Sequence, residues 1–209
     1  MIAATGLRWI LTALFLLPAL FALRATAAPD RASADRVGHV LHAVMAAAMA
    51  AMVWPWGTDL PAGPQILVFS LGALWFAAAP RFRSPRPASP REGLAAAVPH
   101  VVMMLAMVWM AAVMDGHATA SGGPGGGHDM PGMDMSGGGA AVTMSLSGAG
   151  QQGTAVLLSV VLTAFGLLWL AQAFDRARVP ATPLPAAVAE PLCHAAMALG
   201  MALTFVLLV

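Results

Sequence analysis

Three histidines in this sequence are each followed by methionines at helical spacing. His42 precedes Met45, Met49 and Met52; His100 precedes Met103, Met107 and Met110; His194 precedes Met197 and Met201. At 100° per residue, offsets of 3, 7 and 10 from the histidine stay within an arc of about 80°. Each phrase is therefore one helix stripe, with an imidazole at one end and thioethers beyond it. Imidazole binds several first-row metals, and thioether sulfur selects soft ions such as Cu(I). His39 lies one turn before His42 on nearly the same face. Cys193 offers a thiolate beside His194, although adjacent helical residues point about 100° apart. Two histidines at matched depth, His42 and His100, would also suit a bis-imidazole haem. The competing reading needs no ligand at all: methionine fills irregular gaps between Ala-rich helices, and histidine hydrogen-bonds from one helix to the next.

A second cluster lies in residues 115–153, which are rich in glycine and hold neither arginine nor lysine. It contains Asp115 and His117, then His128, Met130, Met133 and Met135 interleaved with two aspartates. This run resembles the short Met/His/Asp stretches of bacterial copper-handling proteins. Its thioethers would wrap Cu(I) without prior structure, and histidine with carboxylate would take Cu(II). The bland alternative is a glycine-rich spacer in which the methionines and histidines are incidental. Such a composition cannot bury a core, so the segment is expected to be a disordered loop. Loops of this length are uncommon unless they are functional or linkers.

Catalytic constellations are missing. The sequence has no G-x-S-x-G, no H-E-x-x-H and no lysine, hence no phosphate-loop lysine. The acidic residues fall in the links or at the ends of apolar runs, which argues against a carboxylate proton relay. No enzymatic activity is expected.

The elements that must position these residues follow from composition. The 209 residues are 59% hydrophobic and only 9% charged, with a mean hydropathy of +0.79. Soluble domains carry roughly 25% charged residues. The shortfall indicates a multi-span membrane protein. A net charge of +1 gives no reason to expect a nucleic-acid partner. The single cysteine excludes an intrachain disulfide. Apolar runs occupy about 7–23, 37–54, 64–79, 94–114, 154–174 and 191–209. Each is close to the length a helix needs to cross about 30 Å of hydrocarbon. The expected architecture is all-α, one membrane domain over 1–209, with six transmembrane helices arranged as three helical hairpins.

Arginines set the expected orientation. Arg24, Arg31 and Arg36 lie between the first and second runs, Arg81, Arg83, Arg86 and Arg91 between the third and fourth, and Arg176 and Arg178 between the fifth and sixth. The other two links have none. The positive-inside rule then makes the arginine links cytoplasmic and places both termini outside. Ala25-Thr26-Ala27 looks like a signal-peptide cleavage site, but cleavage there would leave all the link arginines outside, so the first span is expected to be retained. With this orientation, His42, His100 and His194 share one depth, near the cytoplasmic ends of the second, fourth and sixth spans. The first, third and fifth helices share a late aromatic before their arginines: Trp75 before Arg81 and Trp169 before Arg176.

The phrase His42-x-x-Met45-x-x-x-Met49-Ala-x-Met52-x-Trp54 and the closing Cys193-His194-Ala-Ala-Met197-Ala-Leu-Gly200-Met201 resemble the bacterial integral-membrane family called domain of unknown function 5134. The resemblance covers nearly the whole chain and implies a multi-pass membrane protein of unassigned activity. It supplies no catalytic residues. The sequence thus leads to a bacterial plasma-membrane protein with the lipid bilayer as its partner; a protein partner or a second copy is left open. The expected function is soft-metal handling, with copper as the cofactor. The alternatives are a haem-binding redox subunit and a structural or partner-binding membrane protein without cofactor.

Overall fold

The computed structural model describes residues 5–28, 32–82, 89–121, 148–178 and 184–209. Its elements are six helices: α1 Thr5–Thr26, α2 Ser33–Met52, α3 Ala62–Ala78, α4 Pro90–Ser121, α5 Ala149–Ala177 and α6 Leu184–Val206. Short 3-10 turns, Pro55–Asp59 and Ala79–Arg81, flank α3. No strand occurs among the described residues.

Five of the helices, all but α2, are long and apolar enough to cross a membrane. Between 28% and 44% of the most apolar stretch of each is buried inside the bundle. The remainder turns leucine, valine and isoleucine outward: Leu17, Leu71, Leu105 and Leu157 are each at least half exposed. An apolar periphery of this kind is what a helix bundle presents to lipid. α2 has the length but carries Asp35, Arg36, His39 and His42, which lower its hydropathy. Its outer face is nonetheless valine, at Val37, Val40 and Val44.

Every helix starts before the apolar run that defines it in the sequence. α4 begins at Pro90 and continues to Ser121, and α5 starts at Ala149. The ends of the segment expected to be loop, 115–121 and 149–153, are therefore helical. Hydropathy marks where hydrocarbon ends; the intrahelical hydrogen-bond ladder can continue past it into water. Pro99 and Pro191 both lie inside helices, since α4 starts at Pro90 and α6 at Leu184. A proline inside a membrane helix is tolerated when another group satisfies the carbonyl it leaves without a donor.

Backbone contact is concentrated in α1 against α2, α3 against α4 and α5 against α6, with α1 also closing onto α6. Two glycines permit close approach between helices. A Cβ on Gly166 of α5 would lie 2.6 Å from the Leu199 side chain of α6, and one on Gly200 of α6 would lie 2.8 Å from the Phe15 ring of α1. Small residues at such crossings let membrane helices pack by dispersion. Ser159 of α5 adds a buried hydrogen bond to the Ala202 carbonyl of α6, 3.2 Å long. At the end away from the arginine links, where Arg8 lies beside Trp9, the Trp54 indole N–H donates to Thr12 Oγ1 at 3.1 Å and its ring meets Trp9 edge-on. Trp9 and Trp56 there are more than half exposed, as expected of an interfacial aromatic belt.

Candidate metal centre

Helices α2, α4 and α6 each bring one histidine to a common point. His42 is the tenth residue of α2, and His100 and His194 are each the eleventh of their helices. Their ring centroids form a near-equilateral triangle: 5.1 Å from His42 to His100, 4.7 Å from His42 to His194 and 5.0 Å from His100 to His194. One ring nitrogen from each lies within 4.8 Å of the other two. His42 is buried, and the other two are half-buried.

The helix backbone orients two of the rings. Nδ1 of His42 lies 2.8 Å from the Gly38 carbonyl, and Nδ1 of His100 lies 3.1 Å from the Ala96 carbonyl. A carbonyl oxygen only accepts, so in both rings Nδ1 carries the proton. The tautomer with the lone pair on Nε2 follows. Metal-bound histidines use this arrangement, one nitrogen donating to a carbonyl and the other ligating.

Two aromatic rings from the neighbouring helices wall the triangle. Phe76 of α3 stacks on His100 with centroids 5.1 Å apart and meets His42 edge-on at 5.0 Å. Trp169 of α5 lies 5.4 Å from His100 and 5.2 Å from His194. Phe76 comes five residues before Arg81 and Trp169 seven before Arg176, which places the cluster towards the arginine-bearing end. Rings on two sides limit water and lower the local dielectric, so any ion held here would interact strongly with its ligands.

Three imidazoles with nitrogens this close can hold one transition-metal ion. With metal–nitrogen bonds of 2.0–2.1 Å and tetrahedral angles, ligand nitrogens sit about 3.3 Å apart. The observed separations are larger by at most about 1.5 Å, a gap that χ rotations of the rings can close. Three protein ligands leave a fourth position open for water, substrate or a further donor.

The other sequence candidates are placed as follows. Met45, Met49, Met103, Met107, Met110, Met197 and Met201 are all buried in one continuous core. Met52 is half-buried against it. His39 is buried one turn before His42. Cys193 is half-buried and outside the three-histidine group, as its angular offset from His194 requires. His128, Met130, Met133 and Met135 lie outside the described residues, as does the side chain of His117. Trp75 is not part of the cluster described around the histidines; it stacks on Phe82 with centroids 6.2 Å apart. Its neighbour Phe76 takes the position against the histidines. The spacing of Phe69 and Phe76, two turns apart on one face and both buried, was the available signal for that residue. Glu190 lies inside α6, one turn before His194, because the helix begins upstream of Pro191.

A family model described as a domain of unknown function (DUF5134) matches residues 34–208. The chain belongs to this family. The match runs from the first turn of α2 to the end of the chain's last helix and includes all three histidines. Among curated proteins, the DUF5134 chain is similar to uncharacterised proteins of Mycobacterium bovis and of two strains of Mycobacterium tuberculosis. Each is 40% identical over 109 residues, which is 52% of this chain and 50% of the relative. The chain thus spans about half the length of the curated relatives it matches. No solved structure matches it.

Proposed function

We propose that this DUF5134 protein is a bacterial plasma-membrane protein that binds copper through His42, His100 and His194, without enzymatic activity of its own. The convergence of three imidazole nitrogens from three helices to within 4.8 Å carries the reading. Ordinary core packing would not require three histidines at one point in an apolar bundle, where each costs desolvation. Imidazole suits copper, zinc, iron and nickel. The three ring donors are neutral, and the cost of burying an ion rises steeply with its charge. That favours monovalent copper over a dication.

In this reading all six helices span the bilayer as three hairpins, α1–α2, α3–α4 and α5–α6, with α2 admitted by its outward valines. The arginine links face the cytoplasm and both termini face outside. The segment His128–Met135 would capture ions on the outer side. The haem alternative is less well supported. A macrocycle needs a broad slot between two imidazoles, whereas His42 and His100 are 5.1 Å apart with His194 beside both and Phe76 stacked on His100. The structural alternative predicts that no metal binds.

Elemental analysis and an optical spectrum of the purified, copper-loaded protein test the reading. Copper at one or more equivalents that falls when the three histidines are replaced by glutamine supports it. A Soret band would favour haem. No retained transition metal would leave a structural membrane protein.

A further inference from the structure

The histidine triangle is the first of several layers on the same three helices. Three residues beyond His42, His100 and His194 stand Met45, Met103 and Met197, and seven residues beyond stand Met49, Met107 and Met201. All six are at most 2% exposed and belong to one core. Because the histidines meet, residues on the same stripe of each helix face the same axis. The first methionine layer lies about 4.5 Å along that axis from the imidazoles and the second about 10 Å. Around them the chain places alanine: Ala46, Ala106, Ala198 and Ala202 are all buried. The backbones of these helices press mainly against their outer neighbours. The interior between α2, α4 and α6 is therefore filled by long flexible side chains over a floor of methyl groups.

We infer that Met45, Met103 and Met197 form a second site, a three-thioether site for Cu(I), adjacent to the imidazole centre on the side away from the arginine links. The inference rests on the copper reading of the triangle. Thioether is a neutral soft donor that selects Cu(I) over zinc and over hard cations. Three such donors in a dry, carboxylate-free layer suit a monovalent ion. Met49, Met107 and Met201 repeat the layer about one turn further on, so a Cu(I) ion is passed by ligand exchange from thioether to thioether and then to imidazole. No electron or proton has to move in that transfer. Leucine would fill the same volume, which separates ligation from packing.

The test uses the full chain with Met130, Met133 and Met135 replaced by leucine, so that sulfur from that segment is removed. It is loaded with Cu(I) under anaerobic, reducing conditions. Copper is counted against a chromophoric Cu(I) chelator, and the ligand shell is read by X-ray absorption. The expected result is two copper ions, one with a sulfur shell and one with a nitrogen shell. Met45→Leu, Met103→Leu and Met197→Leu together should remove one equivalent and the sulfur shell. His100→Gln with His194→Gln should remove the other equivalent and the nitrogen shell. One copper with nitrogen ligands only, unchanged by the leucine substitutions, overturns the thioether site and leaves the imidazole centre standing. Absence of copper from the parent overturns the copper reading itself. Should the triple variant not fold, the sulfur shell of the parent decides alone.

Discussion

The Arg176 guanidinium donates a 3.1 Å hydrogen bond to the Ala187 carbonyl. In an uninterrupted helix that carbonyl would accept from the N–H of residue 191, and residue 191 is proline. The last turn of α5 thus supplies the donor that α6 lacks, and the hairpin closes at the point where the α6 ladder is broken. The interaction is solvent-exposed, so its contribution is expected to be about 0.5 kcal/mol. Arg176→Gln should lower the unfolding free energy in detergent by about that amount. In a Pro191→Ala background, where the backbone donor returns, the same substitution should cost nearly nothing. Equal costs in both backgrounds would show that the arginine acts elsewhere.

Gly166 and Gly200 set the spacing of α6 against α5 and α1. An added Cβ meets Leu199 in one case and Phe15 in the other, both closer than 3 Å. Overpacking of this kind typically costs about 1–3 kcal/mol. Gly166→Val and Gly200→Val should each lower the thermal midpoint clearly, whereas Gly63→Ala, where nothing lies within 4 Å, should not. A scan of detergent-solubilised protein would check the contrast.

Much of this architecture was legible because membranes impose strict periodicity. Apolar runs gave the helices, and the stripe beginning at each of His42, His100 and His194 gave the faces that meet. The ends were not legible. Pro191 reads as a helix opener in sequence, since a first-turn proline costs nothing, yet α6 begins upstream of it and Arg176 of α5 donates to the carbonyl that the proline leaves without its backbone donor. The wall was half legible: Trp169 stands out, but Phe76 and Trp75 are neighbours, and which one faces inward depends on the rotation of α3. That rotation is fixed by contacts of α3 with α4, where Gly72 lies against Met104, and these are long-range facts.

Orientation offers a direct check. Reporter fusions after Arg91 and after Arg178 are expected to report cytoplasm, and fusions within 120–140 the outside, because the arginine links should be retained on the inner face. With Arg91 inside and α3 crossing, the α1–α2 link reports on α2: an outside signal from a fusion after Ala28 would indicate that α2 does not cross, and that the chain has five spans.

The triangle itself makes the sharpest distinction between ligand and wall. Replacing a ligand removes a bond to the ion, whereas replacing Phe76 or Trp169 changes only water access and ring orientation. Changes around a ligand typically cost about 10–100-fold in metal affinity. His42→Ala or His194→Ala should therefore lower copper affinity more than Phe76→Leu or Trp169→Leu, which should fall within that range. Acidification should release the metal from the parent, since protons compete for the same imidazole lone pairs. Affinity at about pH 5.5 should be well below that at about pH 7.5. In the histidine variants, where fewer imidazoles bind the ion, affinity should vary less steeply with pH. Competition titrations across that range give both quantities. Equal pH slopes in the parent and in His42→Ala would mean that His42 is not a ligand and serves the packing of α2 against Phe76.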